Sequence, residues 1–435
     1  MSNPRQIAFN ALCKIEKDSS YSNLTLDSIL SKSELDTRDK SFVSALFYGV
    51  IERKLTLDYN ISLYLSKPLK KLKPELLVLL RMGAYQLLFM EKVPVSAAVN
   101  ESVKLSKKNA LQYASGLINA VLRKIGTNGL CLPDSKNYAH CLSVKYSCSE
   151  WLVQKWINEY GAEDTENILE CSIGANDIYI RVNTQKTDSD SLISILDAEG
   201  IKAEKTNLEN ALKISFGGNG IENIKAFKSG LFHVQDLACQ FAVKALGVKD
   251  GDRVFDLCSA PGGKAFTMAQ FAGEKGEILA FDIYESRASL IKKGAERLGL
   301  FNVSAMVGDA SQHNEKIGLA DKVLCDVPCS GFGIIGKKPE IKYKSENEAK
   351  EIEKLQYPIL NNAATYVKKG GRLLYSTCTL SRAENDEICE RFLKEHTDFE
   401  SVIPLKEISS ERFLTLMPHK NGTDGFFIAL FERKK

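Results

Sequence analysis

The fold of this chain is decided by one stretch, RVFDLCSAPGGK, at residues 253–264. A short apolar run ends at Asp256, two glycines follow, and a helical pattern begins after them. This order is typical of a strand–turn–helix junction in a parallel sheet, where ligands bind outside the carboxyl ends of the strands. Because glycine has no Cβ, Gly262 and Gly263 let a ligand approach the backbone closely. The free N–H groups at the start of the helix favour a carboxylate or a phosphate.

Strand and helix patterns alternate from Val234 onward. Near-continuous apolar runs between helical patterns predict an α/β domain whose largely parallel sheet is covered by helices on both faces. A final apolar run at 425–431 predicts a strand that pairs antiparallel with a neighbour. The other predicted strands of this domain lie at 253–257, 277–282, 303–308, 322–326 and 372–376.

Two further parts precede the α/β domain, which we place at residues 231–435. Apolar residues at spacings of three and four predict that residues 1–128 are all-helical. Residues 129–144 contain glycine and proline and are predicted to be a linker. Residues 145–230 are predicted to form a small α+β subdomain, with helices through about Cys171, strands at 178–182 and 212–216, and a helix at 189–199.

Composition narrows the class of protein. The chain has 435 residues, 44% of them hydrophobic and 26% charged, which is ordinary for a soluble globular protein of two to four domains. Its 11 cysteines are irregularly spaced without a C-x-x-C pair, which favours reduced thiols in the cytoplasm and no metal site. No signal peptide or membrane-spanning run is evident. The net charge of +3 does not by itself predict nucleic-acid binding, and nothing requires more than a monomer.

Acidic residues follow the glycine turn at successive strand ends. Asp282 ends the second strand of the domain and can accept hydrogen bonds from ribose hydroxyls. Asp309 follows the third strand and can hold an adenine amino group. Each aspartate alone is equally compatible with capping a helix. Their order along the chain, without a G-x-G-x-x-G pattern, favours a nucleoside with a carboxylate tail, such as S-adenosylmethionine, over a dinucleotide.

Two cysteines close the last two apolar runs of the parallel sheet. Cys329 lies in DVPCSG, at 326–331, and Cys378 lies in YSTCT, at 375–379. The sequence from Ser381 to Glu384 matches a capping box, which predicts a helix that begins near Ser381. A helix N-terminus close to Cys378 would lower its thiol pKa and favour the thiolate. A disulfide between the two cysteines is the alternative, and the compartment disfavours it.

Two thiols beside a nucleoside cofactor suggest covalent chemistry on an electron-poor ring. Carbon 5 of a pyrimidine becomes nucleophilic when a thiolate adds to carbon 6, so the reaction needs one cysteine and a proton acceptor. It also needs an acid or a hydrogen-bond donor at the N3 and N4 edge of the ring. Asp326 and Lys264 are the charged candidates at the same sheet edge.

These motifs resemble the RNA cytosine-5 methyltransferases of the RsmB/NOP family, which carry both a Pro-Cys and a Thr-Cys motif. The resemblance extends over GLFHVQD at 230–236, RLG at 297–299 and DGFF at 424–427. It implies that Cys378 is the nucleophile, that Cys329 assists product release, and that the α/β domain is a Rossmann-like class I methyltransferase. It also implies that S-adenosyl-L-methionine is bound by Cys258, Ser259, Ala260, Pro261, Gly262, Gly263, Lys264, Asp282, Asp309 and Asp326.

The N-terminal part resembles the NusB-like RNA-binding domain. The motifs that carry this likeness are YSN at 21–23, LFYG at 46–49, LRMGAYQL at 80–87 and GLINAVLR at 116–123. Joined to the catalytic motifs, they imply a 16S ribosomal RNA substrate, methylated at carbon 5 of cytidine 967 as free RNA or in an early small-subunit particle. A transfer RNA methyltransferase and a non-catalytic ribosome assembly factor are the alternatives.

The sequence does not decide the role of several further polar and charged residues. Tyr179 and Arg181 face either RNA or solvent from the middle-domain strand. The target base must leave its stack before Cys378 can reach it, so we expect an unpaired loop cytidine. Two basic runs are either solvated helix faces or phosphate contacts: Lys67, Lys70, Lys71 and Lys73, and Lys104, Lys107 and Lys108.

Overall fold

Two units make up the chain in the computed structural model, which describes residues 3–18, 22–31, 33–134, 136–174, 177–215 and 220–435. The first unit is Met1–Gly174 together with Ile335–Lys344, and the second is Ala175–Ile334 together with Ser345–Lys435. Tyr21 of the NusB-like motif and Phe216, the last residue of a predicted strand, lie outside the described residues.

The first unit is helical, which confirms the all-α prediction for the N-terminal part. Side chains at helical spacing, such as Val43, Phe47 and Val50 on the third helix, form its buried core. Arg81 is buried in this core, where its guanidinium bonds both carboxylate oxygens of Asp58 at 2.7 and 2.8 Å. The helices are α1 Pro4–Asp18, α2 Ser22–Leu30, α3 Thr37–Glu52, α4 Lys54–Ser62, α5 Pro74–Phe89, α6 Val95–Lys108, α7 Ser115–Asn128, α8 Tyr138–Tyr146, α9 Glu150–Tyr160 and α10 Ala162–Cys171.

Helix α8 lies in the segment that the sequence predicted to be a linker. The Asn137 side chain accepts the His140 N–H at 3.1 Å and caps the helix start, and Leu142 and Val144 are buried. A helix with buried side chains therefore begins only a few residues after Pro133, so the predicted linker is shorter than expected. Helices α8 to α10 also belong to the helical unit in the structure, whereas the prediction placed most of them with the α+β subdomain.

The segment Ile335–Lys344, although it follows Cys329 in the chain, belongs to the helical unit and packs within it. The Tyr343 hydroxyl donates to the Ile51 carbonyl at 2.5 Å, and the fully buried Lys342 ammonium donates to the carbonyls of Tyr146 and Ser172 at 3.3 and 3.4 Å. Burial lowers the pKa of Lys342 to about 8. The chain thus leaves the second unit soon after Cys329 and returns to it at Ser345, whose side chain forms a capping box with Glu348.

A four-stranded antiparallel sheet begins the second unit. Its order is β2-β3-β1-β4, and the prediction missed β2 and β4 because one is lysine-rich and exposed and the other has three residues. Its elements are β1 Ile178–Val182, α11 Ser189–Ala198, β2 Lys202–Lys205, β3 Ala211–Ser215, α12 Lys225–Lys228 and β4 Phe232–Val234.

Arg181 of β1 does not face outward, so the idea that it contacts RNA is wrong. Its guanidinium lies 5.2 Å from the centre of the Phe271 ring and donates to the Glu209 carbonyl at 2.7 Å. The side chain is buried and acts inside the unit. Tyr179 on the same strand is half-buried, and its hydroxyl contacts Asp177 at 3.3 Å.

An eight-stranded mixed sheet forms the rest of the second unit. Its order is β10-β12-β9-β8-β5-β6-β7, with β11 paired to β12. Its elements are α13 Leu237–Leu246, β5 Arg253–Asp256, α14 Gly263–Ala272, β6 Glu277–Asp282, α15 Glu285–Leu298, β7 Val303–Val307, β8 Ala320–Asp326, α16 Glu346–Ala364, β9 Val367–Thr377, α17 Asp386–Glu395, β10 Phe399–Val402, β11 Phe413–Leu416, α18 Pro418–Asn421 and β12 Phe426–Arg433.

The topology places a crevice beside β5. Strands β6 and β7 extend the sheet to one side of β5, and β8 and β9 extend it to the other, all of them parallel. Such a reversal of direction opens a binding crevice at the carboxyl ends of the strands. Strand β12 pairs antiparallel with β9, as predicted. No described helix is both long and apolar enough to cross a membrane.

Candidate active site

The glycine turn joins β5 to α14 at the carboxyl edge of the sheet. The Ser259 N–H donates to the Phe281 carbonyl at 2.7 Å, and the Gly262 N–H donates to the Ser259 carbonyl at 2.8 Å. Gly262 has a φ of +108°, where a side chain is strained, and a Cβ there would collide with the Phe266 ring. Gly263 begins α14, and a Cβ there would make only ordinary van der Waals contact with Gln235 and Val234.

Buried polar groups beside this turn lack partners. Asp256 is 1% exposed, and its carboxylate lies beside the Ser259 hydroxyl and the Cys258 N–H without a hydrogen bond of good geometry to any described group. Burial raises the pKa of Asp256 to about 7. Buried polar atoms without well-formed hydrogen bonds next to a glycine turn fit a polar ligand, because leaving such atoms unbonded is costly.

The neighbouring strand end carries the second predicted contact. The buried carboxylate of Asp282 accepts the Tyr284 N–H at 3.1 Å and pairs with Arg287 at 3.3 Å. Its carbonyl accepts the Gly308 N–H at 3.0 Å, so the ends of β6 and β7 adjoin. Asp309 is exposed one residue further, and its carboxylate accepts the Ser311 N–H and hydroxyl at 2.9 and 2.7 Å. The cofactor contacts assigned to these residues remain predictions.

The structure brings the two predicted cysteines into contact. The Cys329 and Cys378 sulfurs lie 3.2 Å apart, although 49 positions separate them in sequence. Strands β8 and β9 pair in parallel with Asp326 opposite Ser376, so both loops leave the sheet at the same level. Both cysteines are free thiols, and the alternative of a disulfide is wrong for this structure.

Backbone contacts tie the two loops together. The Gly333 N–H, beyond the Pro-Cys motif, donates to the Cys378 carbonyl at 2.9 Å. A Cβ at Gly333 would collide with the Gly425 carbonyl, so only glycine fits there. The Gly425 N–H donates to the Gly333 carbonyl at 2.9 Å, so the predicted DGFF motif supports the Pro-Cys loop through its backbone.

The surroundings of Cys329 disfavour its thiolate. Contact with the Cys378 thiol, burial and the carboxylates of Glu384 and Asp326 raise the pKa of Cys329 well above its ordinary value. Cys329 therefore keeps its proton at neutral pH. A protonated thiol is a poor nucleophile, because the thiolate is the attacking species.

Lys264 and Asp326 form an ion pair beside the thiols. The Lys264 ammonium lies 2.6 Å from one Asp326 oxygen, and the Ser376 hydroxyl donates to the other at 2.8 Å. Burial alone would lower the pKa of Lys264, but its attraction to Asp326 raises it above the ordinary value. The cofactor loop, the Pro-Cys loop and the Thr-Cys strand thus meet at one carboxylate.

The predicted helix start at Ser381 is wrong. Helix α17 begins at Asp386, and the Ser381 hydroxyl has no hydrogen-bond partner among the described residues. The Glu384 carboxylate instead accepts hydrogen bonds from Ser330, 54 positions earlier. The helix start predicted next to Cys378 is therefore absent, and α17 begins eight residues after this cysteine. Glu384 and its neighbour Asn385 were not predicted as site residues, because nothing in the local sequence distinguishes the bonds from Glu384 to Ser330 from a capping box.

Three family models match the chain, and together with the sheet they define the class. The model for the 16S rRNA methyltransferase RsmB/F covers residues 243–432, and the NusB family model covers residues 2–127. The ferredoxin-like domain of RsmF/B-like methyltransferases matches residues 148–218. The α/β domain is therefore a methyltransferase domain that follows a NusB domain and a middle domain.

Curated relatives match along the whole length. The chain is 37% identical to the probable ribosomal RNA small subunit methyltransferase B of Bacillus subtilis (strain 168), over 99% of this chain and 98% of that one. It is 33% identical to the probable enzyme of the same name from Synechocystis sp., over 99% of both chains. The chain belongs to the RsmB/F family of ribosomal RNA small subunit methyltransferases.

Solved structures share the architecture. The crystal structure of PH0851 superimposes with a TM-score of 0.83 at 30% identity, covering 100% of this chain and 99% of that one. NSun6 from Pyrococcus horikoshii with SFG superimposes with a TM-score of 0.60 at 23% identity, covering 65% of this chain and 98% of that one. The second likeness shows a common fold only.

Proposed function

We propose that this chain methylates carbon 5 of a cytidine in small-subunit ribosomal RNA through a covalent bond between Cys378 and carbon 6. S-adenosyl-L-methionine is the methyl donor of the family and would supply an electrophilic methyl group. The observation that carries the proposal is the pair of free thiols 3.2 Å apart at the crevice of a methyltransferase domain. Methylation of an oxygen or an exocyclic nitrogen needs no thiol.

The glycine turn would hold the cofactor. The N–H groups at the start of α14, from Gly263 onward, suit its carboxylate, and Asp282 suits the ribose hydroxyls. Asp309 is the candidate for the adenine amino group. The backbone of the loop from Cys258 to Lys264 would line this site, with the unpaired Asp256 carboxylate behind it.

Cys378 would begin the reaction. Its thiolate sulfur would bond to carbon 6, and the electron pair of the 5,6 double bond would move to carbon 5 and form the bond to the methyl group. The bond between that methyl group and the donor's sulfur would break, and S-adenosyl-L-homocysteine would leave. Lys264 and Asp326 are the candidates for the N3 and N4 edge of the ring, where charge develops. Their ion pair, 2.6 Å long, lies at the base of the Pro-Cys loop and is held by Ser376.

Release would use the second thiol. A base removes the carbon 5 proton, the electron pair restores the double bond, and the bond between carbon 6 and the Cys378 sulfur breaks. Cys329 lies in contact with that sulfur and holds its own proton, so it can assist the departure of the thiolate. This gives the two cysteines unequal roles.

The NusB-like domain would bind the RNA, and the target would be an unpaired cytidine. The lysines at 67, 70, 71 and 73 are exposed in the helical unit and can contact phosphates, which would make binding salt-dependent. Cytidine 967 of 16S ribosomal RNA is the proposed target. The base must turn out of its stack to reach Cys378.

The test is a methyl-transfer assay with mapping of the product. Purified protein is incubated with labelled S-adenosyl-L-methionine and either unmodified 16S RNA or unmodified transfer RNA. We expect 5-methylcytidine at one position of 16S RNA. RNA binding without transfer would favour a non-catalytic assembly factor, and transfer to transfer RNA alone would favour a transfer RNA enzyme.

A further inference from the structure

Two adjacent buried residues reach the two cysteine loops separately. Glu384 and Asn385 lie in the turn between Cys378 and α17, and their exposed fractions are 0% and 1%. Their side chains diverge. Glu384 makes its short hydrogen bonds to residues around Cys329 and one longer contact to Thr379, whereas Asn385 bonds the residues around Cys378. Neither contacts a cysteine side chain through a hydrogen bond.

Glu384 secures the Pro-Cys loop. Its Oε2 accepts the Ser330 N–H at 2.8 Å and a Gln356 amide hydrogen at 2.9 Å, and its Oε1 accepts the Ser330 hydroxyl at 2.5 Å. Gln356 also donates to the Pro328 carbonyl at 3.0 Å. The residues on both sides of Cys329 are thus attached to one buried network.

Asn385 secures the Thr-Cys loop in the same manner. Its Oδ1 accepts the Thr377 hydroxyl at 2.6 Å, and its Nδ2 donates to the Thr379 carbonyl at 3.0 Å. These are the two residues that flank Cys378. The two halves join where the Thr379 and Ser330 hydroxyls lie 2.7 Å apart, and the Thr379 hydroxyl also lies 3.5 Å from Glu384 Oε1.

We propose that Glu384 and Asn385 are positioning residues, Glu384 for Cys329 and Asn385 for Cys378. Buried networks of this kind fix a geometry, and a loss of one member leaves its partners unbonded. Reactive groups must be held within about 0.5 Å of their productive position. Resting on the proposed function, this assigns Glu384 to the release step and Asn385 to the attack step.

The first test compares single-turnover methyl transfer with multiple turnover. Glu384→Ala should keep its first transfer within about threefold of wild type, lose roughly tenfold or more in turnover, and accumulate a covalent RNA–protein adduct. Asn385→Ala should slow the first transfer by roughly tenfold or more without an adduct. Asn183→Ala is the matched control, because Asn183 is buried in the same unit and donates two hydrogen bonds, to Gly230 and Leu298.

A conservative variant separates positioning from charge. In Glu384→Gln the amide oxygen can accept from Ser330 and Gln356, and the amide nitrogen can donate to the Ser330 and Thr379 hydroxyls, which rotate to accept. We expect near-normal turnover. A loss as large as that of Glu384→Ala would mean that the carboxylate charge is needed, and it would overturn the positioning role.

A second readout does not depend on methyl transfer. Diamide removes two electrons and two protons from a pair of thiols, is itself reduced to a hydrazine, and leaves a disulfide. The Cys329–Cys378 peptide pair, followed by mass spectrometry, should form at least several-fold more slowly in Glu384→Ala and in Asn385→Ala than in wild type and Asn183→Ala. Unchanged rates in both variants would overturn the proposal even if wild type proved inactive on RNA. If the wild-type protein does not methylate RNA but disulfide formation is slower in both variants, the proposed function fails and the positioning role stands.

Discussion

The Pro-Cys loop and the Thr-Cys loop leave adjacent parallel strands in register, yet they surround their cysteines differently. Cys329 lies near the carboxylates of Glu384 and Asp326, and its pKa is raised well above the ordinary value by contact with Cys378, by burial and by these charges. The residues beside Cys378 are bonded by the neutral amide of Asn385. Equivalent places in a fold therefore do not imply equivalent surroundings, because a buried carboxylate bonds one loop and a neutral amide bonds the other.

Removal of each thiol in turn should give the largest difference in methyl transfer between the two loops. Cys378→Ala should lower methyl transfer by at least about 100-fold, because no bond to carbon 6 can form. Cys329→Ala should retain a first transfer within about tenfold of wild type, because its thiol acts later. Single-turnover transfer of the labelled methyl group measures both. Equal losses in the two variants would contradict the division of roles.

The ion pair at the base of the Pro-Cys loop should have the next largest effect. Lys264→Met should lower methyl transfer by roughly tenfold or more, because it leaves the Asp326 carboxylate without its charged partner at the reacting edge. Lys368→Met is the matched control. Lys368 of β9 pairs with Asp321 at 2.8 Å, near the end of β8 opposite to Asp326. A similar loss in both variants would indicate that only sheet stability matters.

The sequence predicts local features of this site better than contacts between distant segments. Strand β6 was predicted with its observed bounds, because an uninterrupted apolar run ends at Asp282. The helix start at Ser381 was wrong, because the Glu384 carboxylate bonds Ser330 from another loop. Arg181 likewise carries no local sign that it will stack on Phe271, 90 positions further along the chain. Partners that only the fold brings together cannot be read from spacing.

The pH dependence of alkylation should sharpen the contrast between the thiols. A raised pKa means that Cys329 forms thiolate only above the pH at which an ordinary thiol does so, and iodoacetamide should modify it slowly at pH 8. Cys378→Ala removes the first cause of that rise, so the alkylation profile of Cys329 should move to lower pH. Glu384→Gln should move it in the same direction by less. Peptide mapping across pH 7 to 10 measures both shifts, and an unmoved profile in Cys378→Ala would contradict the explanation.

The smallest effect is expected at the hydrogen bond that a neutral hydroxyl of β9 donates to the Asp326 carboxylate at the end of β8. Ser376→Ala removes one hydrogen bond of 2.8 Å to Asp326 but keeps the Lys264 ion pair. A hydrogen bond to a charged group contributes about 1.5–3 kcal/mol, and the partial exposure of Asp326 lets water replace it in part. Methyl transfer should fall by only a few-fold. A loss larger than that of Lys264→Met would mean that the hydroxyl, and not the ammonium, orients Asp326.

The most direct test is to find which atom of the protein becomes bonded to RNA. Cys329→Ala is incubated with S-adenosyl-L-methionine and unmodified 16S RNA, the denatured adduct is digested, and mass spectrometry locates the attached nucleotide. The account predicts a 5-methylcytidine-derived nucleotide on the peptide that contains Cys378. An adduct on another residue, or no adduct while Cys378→Ala still transfers methyl groups, would contradict it.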